Sequence, residues 1–205
     1  MRLLLLLLLG ACGAPRSGPG LHDQLEREVI ALHQKVRSLE EALETCDQQE
    51  SSPDPIHREL HQILSGTRVD VRREGRVTVL VFPADLVFRD DLALREEARM
   101  PLDLLATALA KHEGHRVLVE GHTDDRAPTG ALGQRYPDNW ALSHARARAV
   151  ARSLIEDFGV DEARFTLVAR AHHDPVATND TEAGQRRNRR IVVRLETPTG
   201  HDSSP

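Results

Sequence analysis

The sequence predicts an α/β domain, a layer of helices on a sheet, preceded by one long helix of coiled-coil character. Three observations predict it. Strand-like and helical runs alternate between residues 67 and 196, the pattern that stacks helices on a sheet. The strongest helical run, Asn139–Phe158, ends at Gly159, a residue suited to the left-handed turn after a helix. Upstream, apolar residues fall at Leu25, Val29, Leu32, Val36, Leu39 and Leu43, alternating steps of four and three as in a heptad seam. The chain has 205 residues, enough for one ordinary domain plus an extension. Its net charge of -5 argues against a nucleic-acid partner, which needs a basic excess, and one Trp, one Tyr and four Phe leave little for base stacking. A hydrophobic content of 40% is too low for a multi-span membrane protein. Only Lys35 and Lys111 are lysines, so nearly all positive charge is Arg, which pairs with carboxylates through two parallel hydrogen bonds.

Residues 1–11 read as a secretory signal: Met1-Arg2, then leucine from Leu3 to Leu9, then small residues. The run is too short to span a bilayer, which takes about 20 apolar residues. Leu9-Gly10-Ala11-Cys12 resembles the bacterial lipobox, which implies lipidation of Cys12 and stable anchoring in a membrane by its acyl chains. An ordinary signal cut after small residues satisfies the same pattern. Gly13 after the Cys, rather than Asp, implies the outer membrane, by similarity to enterobacterial lipoproteins. Removal of residues 1–11 leaves 26 basic against 32 acidic residues, a charge of -6. Residues 12–20 then carry the modified Cys and a Gly, Pro and Ser linker.

The helix of residues 21–50 places Leu25, Leu32 and Leu39 at d positions and Val29 and Val36 at a positions, a choice that favours a parallel dimer. A homodimer through residues 25–46 and a single amphipathic helix packed on its own domain both fit. Cys46 takes the next d position, where a disulfide across a dimer axis and a free thiol are the two readings. Residues 51–66 form a linker, opened by Ser51-Ser52-Pro53-Asp54-Pro55, and a short helix over Ile56–Ser65. His57 and His61 share a face of that helix, but Glu59 points away and no third ligand is evident, so neither a metal nor a cofactor is expected.

The domain of residues 67–196 opens with Thr67–Arg73 and Arg76–Phe82, alternating runs around Glu74-Gly75 that predict a hairpin. Ala93–His112 carries Ala98, Leu102, Leu105 and Leu109 at helical spacing. Val117-Leu118-Val119 centres a buried strand over Arg116–Glu120. Asn139 is placed to cap the next helix, Phe165–Ala169 is a further strand-like run, and Ile191, Val193 and Leu195 share one face of the last. Residues 197–205 read as a frayed tail.

The chemistry lies between Glu120 and Arg146. Gly121-His122-Thr123-Asp124 follows a buried strand directly, and ligands commonly sit beyond the carboxyl ends of such strands. On the following helix Leu142, Ala145, Ala149, Val150 and Leu154 define an inward arc, and Arg146 falls inside it, about 40° from Leu142. Arg148 and His144 point outward. A cation in a buried arc needs a partner. It is either a salt bridge from Arg146 to Asp124 or a cleft in which both hold a ligand bearing two opposite charges. Asn139, seven residues before Arg146, points the same way. An amino-acid head group suits the cleft, its ammonium at Asp124 and its carboxylate at the Arg146 fork.

Phe88, Val119-Glu120-Gly121-His122-Thr123-Asp124, Asn139-Trp140-Ala141-Leu142-Ser143-His144-Ala145-Arg146-Ala147 and Asn188-Arg189-Arg190-Ile191-Val192, in that order, resemble the OmpA C-terminal family over roughly residues 76–196. The resemblance implies a two-layer sandwich with helices on a mixed four-stranded sheet. It also implies non-covalent binding of peptidoglycan through the diaminopimelate of its stem peptide, with Asp124 as carboxylate ligand, Arg146 as guanidinium ligand and Asn139 beside them. Arg126-Ala127-Pro128 and Tyr136-Pro137-Asp138-Asn139-Trp140, in a loop longer than in compact members, resemble the domain of the flagellar stator protein MotB. Only the wall-binding domain carries over, since the lipobox stands where that protein has a membrane-spanning start. The basic run Arg186–Arg190 reads equally as ion pairs at a strand start or as wall contact, and stays outside the ligand set. Tethering of the outer membrane or of an envelope complex, such as a motor or secretion machine, to the wall is the leading expectation. The opposing one, glycoside cleavage by Glu120 and Asp124, conflicts with a Glu that ends a strand.

Overall fold

The computed structural model describes residues 21–51, 54–90 and 92–197. The expected signal, Cys12 with the expected linker, and residues 198–205 lie outside the described residues. The chain divides into two units at Ser51/Ser52.

The first unit is helix α1 (Leu21–Ser51). Its seam residues Leu25, Val29, Leu32, Val36 and Leu39 are 50–57% exposed. Among the described residues no helix is long and apolar enough to cross a membrane.

The second unit runs α2 (Pro55–Ile63), β1 (Asp70–Glu74), β2 (Val77–Pro83), α3 (Ala84–Val87), α4 (Glu96–Lys111), β3 (Arg116–His122), α5 (Gly130–Arg135), α6 (Asn139–Glu156), β4 (Phe165–Ala171), α7 (Glu182–Asn188) and β5 (Arg190–Glu196). The strands form one mixed sheet in the order β1-β2-β5-β3-β4, with β3 and β4 parallel and every other pair antiparallel. The sheet therefore has five strands, not four. The additional one is edge strand β1, held by the hairpin whose two loop residues, Gly75 and Arg76, lie between paired Glu74 and Val77. Gly75 takes φ +61°, which its missing Cβ allows.

Strand alternation divides the sheet's faces. Leu80 and Phe82 of β2, Val117 and Val119 of β3, and Ile191, Val193 and Leu195 of β5 point into one core with α2, α4 and α6. Residues 51–66, expected as linker and short helix, thus deliver Ile56, Leu60 and Leu64 to that core, all at most 1% exposed. Asp54 caps α2 by accepting from the Ile56 N–H at 3.1 Å.

Two local expectations are corrected on α6. Its N-cap is Asp138, not Asn139: Asp138 is extended and accepts from the Ala141 N–H at 2.8 Å, which leaves Asn139 as the first helical residue with its side chain free to point inward. The buried arc is also turned. Ser143 and Ala147 are fully buried, whereas Ala145 and Ala149 are half-buried, because the helix packs on β3 and β4. The helix ends as expected: Gly159 takes φ +74°, its N–H donates to the Ile155 carbonyl at 3.1 Å, and the Val160 N–H donates to the Leu154 carbonyl at 3.0 Å.

Candidate functional site

The site forms where β3 runs out against the start of α6. Gly121 permits the approach: a Cβ there would lie 1.9 Å from the Ser143 carbonyl oxygen. The register between β3 and β4 slips between Gly121 and His122, and Ala171 answers with φ +49°. Ala171 is tied on both sides, its carbonyl accepting from the Thr123 N–H at 2.8 Å and its N–H donating to Ser143 Oγ at 3.2 Å. A non-Gly residue so fixed in the left-handed region marks a re-aimed strand end. What it re-aims is Thr123-Asp124.

Asp124 is 7% exposed and its carboxylate forms an ion pair with Arg189. Its carbonyl accepts from Thr123 Oγ1 at 2.8 Å and from Asn139 Nδ2 at 3.2 Å. Arg146, also 7% exposed, donates from one terminal nitrogen to the His122 carbonyl at 3.2 Å. Its Nε and Asn139 Oδ1 are buried without a hydrogen-bond partner. Burial lowers the Arg146 pKa to about 10; the Asp124 charge opposes that drop and the Arg189 charge adds to it. Arg146 is still a cation at neutral pH. The structure thus brings Asp124, Asn139 and Arg146 together, as the helix face and the strand end predict. Neither open reading holds in full, however. Asp124 is paired, but with Arg189, and Arg146 keeps unused donor capacity. Arg189 is the neighbour of Asp124 that stood outside the expected ligand set; a run of four arginines in five residues gives no sign of which one turns inward.

Glu120 does not join them. Alternation puts it on the sheet's outer face, 1% exposed beneath Arg170 at 2.7 Å and Arg194 at 3.2 Å. Burial raises its pKa, but hydrogen bonds with His122 and these arginines outweigh that and hold it at about 2. A carboxylate so held is no proton donor at neutral pH. Buried His122 has Nε2 3.7 Å from Glu120 Oε2 and no partner at Nδ1, and burial pushes its pKa down toward the neutral form. Beyond Asn139 the rings of His172, His173 and Trp140 form a row at the rim. A groove of about 770 Å³ lined by Tyr136, His144 and Arg148 follows the other side of α6 and includes none of Asp124, Asn139 or Arg146. Among the described residues no group of His, Cys, Asp or Glu could hold a metal.

Residues 88–189 match the model of the OmpA family. A solved structure described as the cell wall anchor of the T6SS from Pseudomonas aeruginosa is 35% identical, and the match covers 72% of this chain and all of that one, with a TM-score of 0.63. The chain belongs to the OmpA family. The Pseudomonas putida peptidoglycan-associated lipoprotein is 39% identical over 105 residues, 51% of this chain. The chain spans somewhat more than half of that relative, 58% of its length. A MotB-like protein from Desulfovibrio vulgaris, 24% identical over 70% of this chain and 92% of its own, has the same fold with a TM-score of 0.64. The family match begins at Phe88 and ends at Arg189, so it contains every residue of the site.

Proposed function

We propose that this protein binds peptidoglycan non-covalently, through the diaminopimelate of the stem peptide, and ties the outer membrane to the cell wall without catalysing a reaction. One observation carries the reading: a buried guanidinium and a buried amide, Arg146 Nε and Asn139 Oδ1, keep unused hydrogen-bonding capacity beside the carboxylate of Asp124. Unmet buried polar atoms are costly, and a ligand with an ammonium and a carboxylate meets them. The free end of diaminopimelate has both, its carboxylate facing Arg146 and its ammonium facing Asp124, with Asn139 between. The membrane end is assigned to acylated Cys12, and self-association to residues 25–46, whose seam residues from Leu25 to Leu39 are exposed. Relatives named as a peptidoglycan-associated lipoprotein and as a cell wall anchor support wall binding. The second name also favours a narrower setting, an accessory subunit that fixes a secretion or motor machine to the wall by the same domain.

The test is co-sedimentation of the purified protein with peptidoglycan sacculi. Wild type pellets with sacculi, and Asp124→Ala and Arg146→Ala stay soluble while keeping the wild-type circular dichroism. If both folded variants pellet like wild type, the site is wrong. Release of sugar or peptide fragments by wild type would make the protein an enzyme instead.

A further inference from the structure

We infer that Trp140, the exposed end of the ring stack it forms with His173 and His172 at the rim, is a stacking platform for a hexosamine of the glycan strand, so that the protein grips sugar as well as stem peptide. The inference rests on the diaminopimelate reading of Asp124 and Arg146 and extends the same site. Trp140 is the only tryptophan of the chain and is 50% exposed. Its ring centroid lies 5.1 Å from that of His173, 31° from parallel, and His173 lies 4.2 Å from His172, 33° from parallel. The three rings thus stack face over face with His173 in the middle, and half-exposed Trp140 ends the stack with its outer face open to a ligand. The row is joined to the charged site, not set apart from it: His172 Nδ1 is 3.5 Å from Asn139 Nδ2, and the same amide donates to the Asp124 carbonyl.

The chemistry of the surface selects the occupant. One face of a pyranose is a patch of C–H groups with slight positive character, which suits the negative face of an aromatic ring, while its hydroxyls stay in water. Indole offers the broadest such face. A sugar is also within reach. In a stem peptide, diaminopimelate is the third residue from the muramic acid, so an extended stem places the sugar about 10 Å from a residue seated at Asp124. The stack runs from His172, beside Asn139, through His173 to exposed Trp140.

Trp140 also supplies the readout, since it is the chain's only source of tryptophan fluorescence. The experiment titrates the purified full chain with three ligands: the free diaminopimelate tripeptide, the disaccharide carrying that tripeptide, and the disaccharide alone. Fluorescence and calorimetry are recorded for wild type, Trp140→Phe and Trp140→Ala. One ring contact is worth about a two- to tenfold change in affinity. The disaccharide-peptide is therefore expected to bind wild type tighter than the free tripeptide by that factor and to shift Trp140 emission. Trp140→Ala should abolish the advantage and leave tripeptide affinity unchanged, and Trp140→Phe should keep most of it. Equal affinities for tripeptide with and without sugar would overturn the platform and leave the diaminopimelate reading standing. Sugar-dependent emission changes without tripeptide binding would do the reverse. Failure of all three ligands to bind overturns both.

Discussion

Two carboxylates leave β3 within a few positions of each other, Glu120 on the sheet's outer face and Asp124 beyond the strand's carboxyl end. Glu120 is covered by Arg170 and Arg194, and Arg194 reaches on to Glu74 at 2.6 Å, so charge is met by charge among residues of four strands. Asp124 has one guanidinium partner, while its other cationic neighbour, Arg146, turns to a backbone carbonyl and keeps a buried donor idle. The first arrangement is closed and the second is incomplete. Buried charge alone marks neither structure nor function; what separates them is whether each cation beside the carboxylate is paired with it, as Arg170 and Arg194 are and Arg146 is not.

Gly121 lies between the two carboxylates, and its substitution is expected to have the largest effect. In Gly121→Ala the new Cβ meets the Ser143 backbone, which cannot move without displacing α6. We expect a loss of roughly 3 kcal/mol or more in chemical denaturation, with sacculus binding lost as well. A variant of wild-type stability would mean that strand and helix are not locked at this contact.

The comparison itself is tested by removing one charge from each region. Glu120→Gln leaves Arg170 and Arg194 facing a neutral group, with an expected cost of about 2 kcal/mol, below the usual figure for a broken buried pair because Arg170 is half-exposed. Its sacculus binding should be that of wild type. Arg146→Ala should show the opposite pattern, abolished binding with a stability change within about 1 kcal/mol, since it removes an unmet buried donor along with a cation. If Glu120→Gln loses binding or Arg146→Ala loses most of the stability, the division between closed and incomplete sites fails.

Acid should act on the closed region first. The folded pKa of Glu120, about 2, is below its ordinary 4.5, so its stabilisation is full above that value and is lost as pH falls toward 2. His122 adds in the same direction: a folded pKa below 6.5 favours the neutral ring, so stability declines as pH falls through 6.5. Melting temperature is therefore expected to fall from pH 7 to pH 3 in two stages. Glu120→Gln should flatten the lower stage only. A profile rising toward acid would contradict both assignments.

Much of the molecule is legible in its residues. Asp124 follows from a carboxylate placed at the end of an apolar run, and Arg146 from a cation in an apolar arc, because strand and helix periods constrain direction. Other features depend on spatial neighbours. Asp138 and Asn139 are both competent caps, and backbone conformation decides between them. The inward arc of α6 departs from the apolar pattern because Ser143 and Ala147 owe their burial to β3 and β4, not to their own polarity. Arg189 is invisible in the sequence as a partner of Asp124: it sits where α7 gives way to β5, and no period governs the direction of a residue between two elements.

Arg189 gives the smallest expected effect and the finest test. Its pair with Asp124 is partly exposed, so Arg189→Ala should change stability by no more than about 1 kcal/mol. Its effect on binding separates two roles. If Arg189 occupies the carboxylate that the ligand ammonium needs, its removal empties Asp124 and tightens sacculus binding. If it orients Asp124 for the ligand, its removal weakens binding while Asp124 remains in place. Arg189 already holds the Asp124 carboxylate, whereas the unmet buried atoms lie on Arg146 and Asn139. Competition is therefore the expected outcome, with tighter binding in Arg189→Ala measured by co-sedimentation at increasing salt. Weaker binding at every salt concentration would make Arg189 part of the grip rather than its rival.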